Sequence, residues 1–398
     1  MNKNWRQIFN NAWSSEKYDL LYNEILRQTG HLVPFRIAES PVFLDNSLWD
    51  SLMSDTNDLI DQISTKEVLD HGEKVFKYTN SKVPGDDGHP SFIQFDFGIC
   101  QNPDGTLQPK LIELQGFPSL YYFQPILADI YKSLFPGGEQ LKFYADGIDQ
   151  DTYYNLLDPI ILNGHDPREV IILEIEPEKQ NTYIDLLCTS IHLGVKVLCI
   201  SKVKRSGSKL YYIDDKGVSI PIKRIYNRVI FDELEQRQDI IGSFDMLQNV
   251  DVEWAGHPNW FFKLSKFTMP KLKGKSVPKT YFLDQIDYND LELKNYVLKP
   301  LFSFSGAGVE IDITRSMLDD VAQKDHYILQ EKVDYVPLVA DVNGDLSKFE
   351  VRMMAVWPQN HPKPIIANNL IRLSKGKMVG VKYNKDKIWV GGSIGFRE

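Results

Sequence analysis

The sequence lacks the features that mark secreted, membrane-spanning or cysteine-metal proteins. Its 398 residues include three cysteines, Cys100, Cys188 and Cys199, whose spacing fits neither a metal site nor a disulfide framework. No apolar run is long enough to cross a bilayer. The first residues also lack the continuous apolar core of a signal peptide. We therefore expect a cytoplasmic protein with reduced thiols and no membrane partner.

Excess positive charge is also missing, because the net charge is -9. A balance of this sign argues against a general nucleic-acid binder. Residues 256–398 nevertheless carry 21 Lys and Arg against 16 Asp and Glu, which leaves -14 on the remainder of the chain. The basic third could face phosphate and the acidic part a cation or an amine. Uneven solubilising surface charge would explain the same distribution.

Hydrophobic periodicity and turn sequences predict an α/β (α+β) fold in several subdomains, since the chain is long for one core. Helical spacing dominates the first ninety residues, and two alternating runs flanking the turn at 102–105 predict a hairpin. Further on, buried strands alternate with a helix as in an open α/β sheet, and Tyr226, Asn227 and Arg228 lie near a strand end, where ligands tend to bind. We predict boundaries that give the segments 1–160, 161–255 and 256–398.

A glycine-containing loop follows a strand in "YVLKPLFSFSGAGVEI", and Lys299 stands at the end of that strand. The loop contains Ser303, Ser305, Gly306 and Gly308. A lysine ammonium can bridge phosphate oxygens, and backbone N–H groups of a glycine-rich turn can donate to the same oxygens. The order of residues is not that of a Walker A loop. The segment predicts a nucleotide-phosphate site, although an ordinary hairpin turn would have the same sequence.

Three other segments carry residue types that a nucleotide site needs. Lys266 is a second cation for phosphates. The strand in "YILQEKV" could present backbone groups to an adenine edge, through Gln330, Glu331 and Val333. Two arginines, Arg352 and Arg372, lie within mostly apolar strands, where surface ion pairs would be the ordinary explanation. Each of these features alone is common on protein surfaces.

The predicted hairpin brings oxygen ligands together. Glu113 and Gln115 are two residues apart and share one face of a strand. A turn centred on Asp104-Gly105 places Asp96 roughly opposite them. Magnesium prefers oxygen ligands and usually retains waters and substrate phosphates. Asp96, Glu113 and Gln115 are therefore candidate magnesium ligands, and a solvent-facing polar side of the hairpin is the alternative.

Together these segments resemble the ATP-grasp superfamily, and within it the synthetase domain of the glutathionylspermidine synthase-like branch. The resemblance runs from about residue 92 to the end of the chain. It implies an ATP-grasp-like domain at 256–398, an α/β substrate domain at 161–255 and a metal-ligand hairpin in segment 1–160. It also implies that Lys266 and Lys299 bind ATP, that the hairpin residues bind magnesium and that Arg372, with Arg352, is catalytic.

The resemblance implies an ATP- and Mg²⁺-dependent carboxylate–amine ligase that works through an acyl phosphate. Its partners would be a small-molecule or peptide carboxylate and an amine. The chain departs from the family pattern where Gln115 replaces an asparagine and Gln94 an arginine. A catalytically degenerate protein that binds nucleotide or a partner is therefore an alternative, and an α/β binding protein without nucleotide is a third.

Overall fold

The structure is a computed structural model that describes residues 1–240, 242, 244–303, 306–376, 379 and 384–398. Its α-helices are α1 (Lys3–Ala12), α2 (Ser15–Thr29), α3 (Asn46–Ile63), α4 (Lys66–Glu73), α5 (Phe123–Ser133), α6 (Gln150–Leu162), α7 (Tyr183–Leu193), α8 (Phe231–Gln236), α9 (Trp260–Lys263) and α10 (Arg315–Asp319). Within these described ranges, no helix is long and apolar enough to cross a membrane.

The strands form several sheets. They are β1 (Val42–Phe43), β2 (Phe92–Gln101), β3 (Leu107–Gln115), β4 (Val170–Glu174), β5 (Lys196–Cys199), β6 (Lys204–Ser206), β7 (Lys209–Ile213), β8 (Ser219–Ile222), β9 (Arg224–Asn227), β10 (Glu253–Ala255), β11 (Thr280–Phe282), β12 (Tyr296–Pro300), β13 (Tyr327–Glu331), β14 (Val339–Ala340), β15 (Leu346–Val356), β16 (Ile365–Ser374), β17 (Gly391–Ser393) and β18 (Gly395–Phe396). The mixture of helices and strands confirms the predicted α/β class.

The amino-terminal residues are helical, as their periodicity predicts. Ser14 caps α2 by accepting from the backbone N–H of Lys17, and Gly30 ends it with a φ of 71°. Asp45 caps α3 in the same way, and the buried face of α3 includes Leu52 and Leu59. Side-chain caps and an apolar face thus fix these helices at their ends and along one side.

The largest sheet runs in the order β17-β16-β15-β2-β3, with β14 paired to β15. All of its pairings are antiparallel. The hairpin β2–β3 turns through Gly105, whose φ is 86°, and places Asp96 directly opposite Glu113. This confirms the predicted hairpin and its register. The sheet joins strands of the predicted segments 1–160 and 256–398, while the proposed boundaries stay a prediction.

A second sheet has the order β10-β9-β4-β5, and every pairing in it is parallel. Helix α7 connects β4 to β5 and ends before Gly194, which confirms the predicted strand–helix–strand unit. The link from β5 to β9 contains an antiparallel meander, β6-β7-β8. The carboxyl ends of β4 and β9 lie at one edge of this parallel sheet.

A third sheet, β11-β13-β12, is antiparallel and has β13 at its centre. Lys299 lies on β12, one residue before its end, as predicted from the sequence. A pair of hydrogen bonds between Leu298 and Glu310 closes the chain back onto β12, with both N···O distances 2.9 Å. The loop between them is the predicted phosphate loop.

Candidate functional site

The largest sheet presents charged side chains in adjacent rows. Residues that face each other across neighbouring strands point to the same side of a sheet. The register aligns Glu113, Asp96 and Arg352 across β3, β2 and β15. The next row along contains Glu350 and Arg372 on β15 and β16. Three acidic and two guanidinium groups therefore share one face of the sheet.

Asp96 is held by both arginines. Arg352 donates to Oδ1 from Nε at 2.6 Å and to Oδ2 from Nη2 at 2.7 Å, and Arg372 Nη2 donates to Oδ2 at 2.5 Å. Burial would raise the pKa of Asp96, but the charges of Arg352 and Arg372 outweigh it and bring the pKa to about 2. Both carboxylate oxygens of Asp96 thus accept from guanidinium groups.

Lys266 and Lys299 meet the same face from the neighbouring segments. The Lys266 ammonium lies 3.4 Å from Glu113 Oε2, and Lys299 Nζ donates to the carbonyl oxygen of Ile112 at 2.9 Å. Burial alone would raise the pKa of Glu113, but the charges of Lys266 and other cations outweigh burial and lower it. Burial also lowers the pKa of Lys299 to about 8. Lys299 and Glu113 are therefore close neighbours, although they lie far apart in the chain.

The loop after β12 has the backbone that its glycines predict. Gly306 and Gly308 have φ values of 73° and 70°, which residues with a Cβ rarely adopt. The Ser303 carbonyl oxygen accepts from Lys266 Nζ at 3.0 Å. Within the described part of the chain, the buried Ser303 hydroxyl has no hydrogen-bond partner. Ser305, the other predicted hydroxyl, lies outside the described residues.

The three residues predicted to face adenine differ in their surroundings. Gln330 is 1% exposed and lies on the central strand of its sheet. The Glu331 amide donates to the Lys279 carbonyl oxygen at 2.9 Å. Among the described residues, the Val333 amide donates to no partner. Of the three amides, that of Val333 remains available to a ligand edge.

The chain beyond Val333 crosses β2, a contact that the sequence analysis missed. A Cβ at Gly98 would lie 2.8 Å from Val333 Cγ1 and 3.0 Å from the Tyr335 ring. The Tyr335 hydroxyl donates to Glu350 Oε1, and Arg372 contacts the other carboxylate oxygen of Glu350 at 2.9 Å. An isolated glycine within a strand pattern indicates a close backbone approach. Gly98 was therefore the feature of the sequence that could have indicated this contact.

Two glutamines stand at the positions where the chain departs from the family pattern. Gln94 is fully buried, and its Nε2 donates to the Ser119 carbonyl oxygen at 2.8 Å. The Gln115 amide donates to Gln94 Oε1 at 2.5 Å. In the alternative amide orientation, Gln115 accepts from Arg352 Nη1 and Nη2 at 3.2 and 3.3 Å. This pair is uncharged at a place where the resemblance implies a cation.

The carboxyl edge of the parallel sheet carries another buried ion pair. Arg228 Nη1 donates to Asp185 Oδ2 at 2.9 Å, and these side chains are 2% and 0% exposed. Asp185 also accepts from the backbone N–H groups of Leu120, Tyr122 and Phe123. The sequence predicts Arg228 at a strand end, and the structure confirms that position, with the guanidinium group directed toward Asp185.

The charges of the candidate site favour an anion. Its cations are those of Lys266, Lys299, Arg352 and Arg372, and its carboxylates are those of Asp96, Glu113 and Glu350. The buried Arg372 Nε has no partner among the described residues. An excess of positive charge with an open donor suits phosphate or carboxylate oxygens.

Among the described residues, no group of three His, Cys, Asp or Glu side chains could hold a metal ion, so magnesium at Glu113 would depend on phosphate oxygens and water for most of its ligands. The ion often uses one or two carboxylates and completes its shell with phosphate oxygens and water. Among the described residues, Glu113 accepts no guanidinium hydrogen bond, although its Oε2 lies 3.4 Å from the Lys266 ammonium. Gln115 lies two residues along the same strand. Binding at Asp96 would require Arg352 or Arg372 to release an oxygen. The metal role of Asp96 therefore stays a prediction, and Glu113 is the better-placed carboxylate.

Comparison with known proteins identifies the fold. No family model matches the chain, and no curated protein matches its sequence. A solved structure, described as a glutathione synthetase like-effector (GSS30) from Globodera pallida in apoform, matches with a TM-score of 0.58 and 12% sequence identity. The match covers 97% of this chain and 98% of that chain. This chain therefore has a glutathione synthetase-like fold.

Proposed function

We propose that the protein is an ATP- and Mg²⁺-dependent carboxylate–amine ligase that acts in the cytoplasm. The observation that carries this proposal is the convergence of Lys266, Lys299 and Glu113 with the arginine-bound Asp96 in one cleft. These residues come from three separate parts of the chain: the β2–β3 hairpin, the segment around Lys266 and the end of β12. The glutathione synthetase-like fold supports the same reaction class.

The positively charged side chains would have two roles, binding of ATP and stabilisation of phosphoryl transfer. Lys266 and Lys299 would hold the nucleotide phosphates as compact charges, and the backbone around Gly306 and Gly308 would donate to the transferred group. Magnesium held by Glu113 would neutralise the phosphate charge. The Val333 amide would bind the adenine edge. Each of these contacts positions ATP and neutralises its charge, which phosphoryl transfer chiefly requires.

Arg372 would stabilise charge during transfer. The substrate carboxylate attacks the γ-phosphorus, the bond to the β–γ bridging oxygen breaks, and ADP leaves with that electron pair. The amine then attacks the acyl carbon, phosphate leaves, and a proton is lost to solvent. Arg372 is 35% exposed, unlike Arg352 at 10%, so Arg372 is the arginine that a substrate can reach.

The test combines calorimetric MgATP binding with phosphate release in the presence of mixed carboxylates and amines. We expect both in the wild type and neither phosphate release nor Mg-dependent binding in Glu113→Ala. Glu139→Ala, which changes an exposed glutamate outside the candidate site, is the matched control and should retain both. Full phosphate release by Glu113→Ala would remove the hairpin from the mechanism.

A second candidate is a nucleotide-binding protein that forms no amide bond. The observation that favours it is the neutral pair Gln94–Gln115, which leaves the buried end of the cleft without the cation implied by the resemblance. This protein would bind MgATP through Lys299 and release no phosphate with any substrate mixture. Binding without release in the wild type would therefore replace the ligase proposal with this one.

A further inference from the structure

The meander β6-β7-β8 carries a concentration of positive charge in an acidic chain. Residues 196–224 contain eight Lys and Arg but two Asp, a local net charge of +6. The exposed lysines are Lys202, Lys204, Lys209, Lys216 and Lys223. Within the described structure, none of these five forms an ion pair. The rest of the chain must carry -15, so this surface is opposite in sign to its surroundings.

One face of the meander combines these charges with apolar side chains. The register aligns Lys204, Tyr211 and Pro221 across the three strands. Along β7, the residues on this face are Lys209, Tyr211 and Ile213, spaced about 6.8 Å apart. The opposite face is buried and contains Leu210 and Tyr212. The exposed face therefore changes from basic to aromatic to aliphatic along a single strand.

The exposed face of β7 ends in apolar side chains that are open to solvent. Ile213 is 50% exposed and Val218, across the turn, is 51% exposed. Exposed apolar residues beside unpaired cations characterise interaction surfaces more than purely solvated ones. The meander packs at the amino end of the parallel sheet. Tyr212 donates to the Arg168 carbonyl oxygen at 2.9 Å, at the amino end of β4, whereas Arg228 lies at the carboxyl end.

We propose that this face docks an acidic protein segment in which acidic residues are followed by apolar ones. Carboxylates would meet Lys204, Lys209 and Lys223, and apolar side chains would pack on Tyr211 and Ile213. Side chains of an extended segment repeat at the same spacing as those of β7. The acidic and the apolar parts of the segment could therefore contact this face at the same time.

Two other anionic partners fit this face less well. Membranes would first meet the tip of the meander, where Asp214 and Asp215 would oppose anionic lipid. Nucleic acids are bound best by arginine forks, but Arg205 Nε already donates to the Gly207 carbonyl oxygen at 2.6 Å. The lysines and the apolar stripe together favour a peptide.

The test is fluorescence anisotropy with a labelled peptide that has glutamates at one end and phenylalanines at the other. Lys204→Glu, Lys209→Glu and Lys223→Glu combined should weaken binding at least about tenfold, since three attractive contacts become repulsive. Tyr211→Ser with Ile213→Ser should weaken binding of this peptide but not of an all-glutamate peptide. MgATP binding should be unchanged in both variants, because none of the substituted residues belongs to the candidate site.

The matched control combines Lys3→Glu, Lys74→Glu and Lys77→Glu, which are exposed lysines elsewhere and change the net charge equally. Binding lost to the same extent in this control would overturn the proposal, because only net charge would then matter. Tighter binding of single-stranded RNA or of anionic vesicles than of the peptide would overturn it in favour of that partner. Unchanged peptide binding in the lysine variant would overturn it as well.

Discussion

Two buried aspartate–arginine pairs hold different parts of the molecule. Asp185 and Arg228 are 0% and 2% exposed at the edge of the parallel sheet. Asp96 is 2% exposed, but its partner Arg372 is 35% exposed at the cleft. The first pair is sealed, and Asp185 also accepts from three backbone N–H groups, while the buried Arg228 Nε has no partner among the described residues. The second leaves a guanidinium group accessible, so the same two residue types serve the fold in one region and a ligand in the other.

The sealed pair should show the largest effect on folding. Asp185→Ala leaves the Arg228 charge buried without its hydrogen-bonded carboxylate and removes an acceptor from three N–H groups. We expect a loss of about 3–5 kcal/mol in the free energy of unfolding, measured by urea denaturation. Asp215→Ala, which removes an exposed pair with Lys196, is the control and should cost less than about 1 kcal/mol. Equal losses in the two variants would contradict the distinction between sealed and exposed pairs.

The Asp96–Arg372 pair, whose guanidinium group is accessible, should affect phosphate release rather than folding. Arg372→Ala should lower kcat for phosphate release by roughly 10²–10³, or about 2.7–4 kcal/mol, if the guanidinium group meets charge that develops during transfer. MgATP affinity should change little. Arg352→Ala is the comparison variant. Because the Arg352 side chain is more buried, its removal should lower the free energy of unfolding as well as kcat. A raised KM with an unchanged kcat in Arg372→Ala would assign it to ground-state binding instead.

The cleft should also respond to pH through Lys299. Burial lowers its pKa to about 8, so its charge is present below that pH and lost above it. We expect MgATP affinity to fall as pH rises through about 8, by up to about tenfold per pH unit while this group dominates. Calorimetric titrations between pH 7 and pH 9 would measure this decrease in MgATP affinity. Lys299→Arg keeps its charge throughout this range, and an equally steep fall in that variant would exclude Lys299 as the cause.

The smallest effect concerns the chain that crosses β2. Tyr335→Phe removes the hydrogen bond to Glu350 while retaining the ring against Gly98. We expect a loss of about 0.5–1.5 kcal/mol in the free energy of unfolding. If Tyr335 also fixes Glu350 against Arg372, phosphate release should fall while MgATP binding persists. A variant with unchanged stability and release would show that this hydrogen bond contributes to neither.

Local sequence patterns predicted the hairpin and its partners well. The turn residues at 102–105 predicted the hairpin and set its register near the turn, where Phe97 pairs with Leu111. A bulge between Phe97 and Asp96 then shifts the register by one residue and brings Glu113 opposite Asp96. Strand β4 was recognisable because it is buried along its whole length and continuously apolar. Strand β5 was also predicted as buried, but it is the edge strand of that sheet and only Leu198 in it is buried. Each of these features depends on residues close together in the chain.

The arginine network could not be predicted in the same way. Arg352 pairs with Asp96 across 256 residues, and no local pattern specifies which strand β15 will join. The resemblance to a family suggested that Arg372 was functional but not that it would share Asp96 with Arg352. The Tyr335–Glu350 contact depends on how a loop crosses the sheet, which propensity and periodicity do not determine.

The junction between β2 and β15 also constrains how the protein is made. A ribosome adds about 5–20 residues per second, so the 256 residues between Asp96 and Arg352 take about 13–50 seconds to synthesise. During that time one edge of β2 is without its final partner, and an unpaired strand edge can pair with other chains. Folding of the nascent protein therefore depends on keeping this edge covered until the later strands emerge.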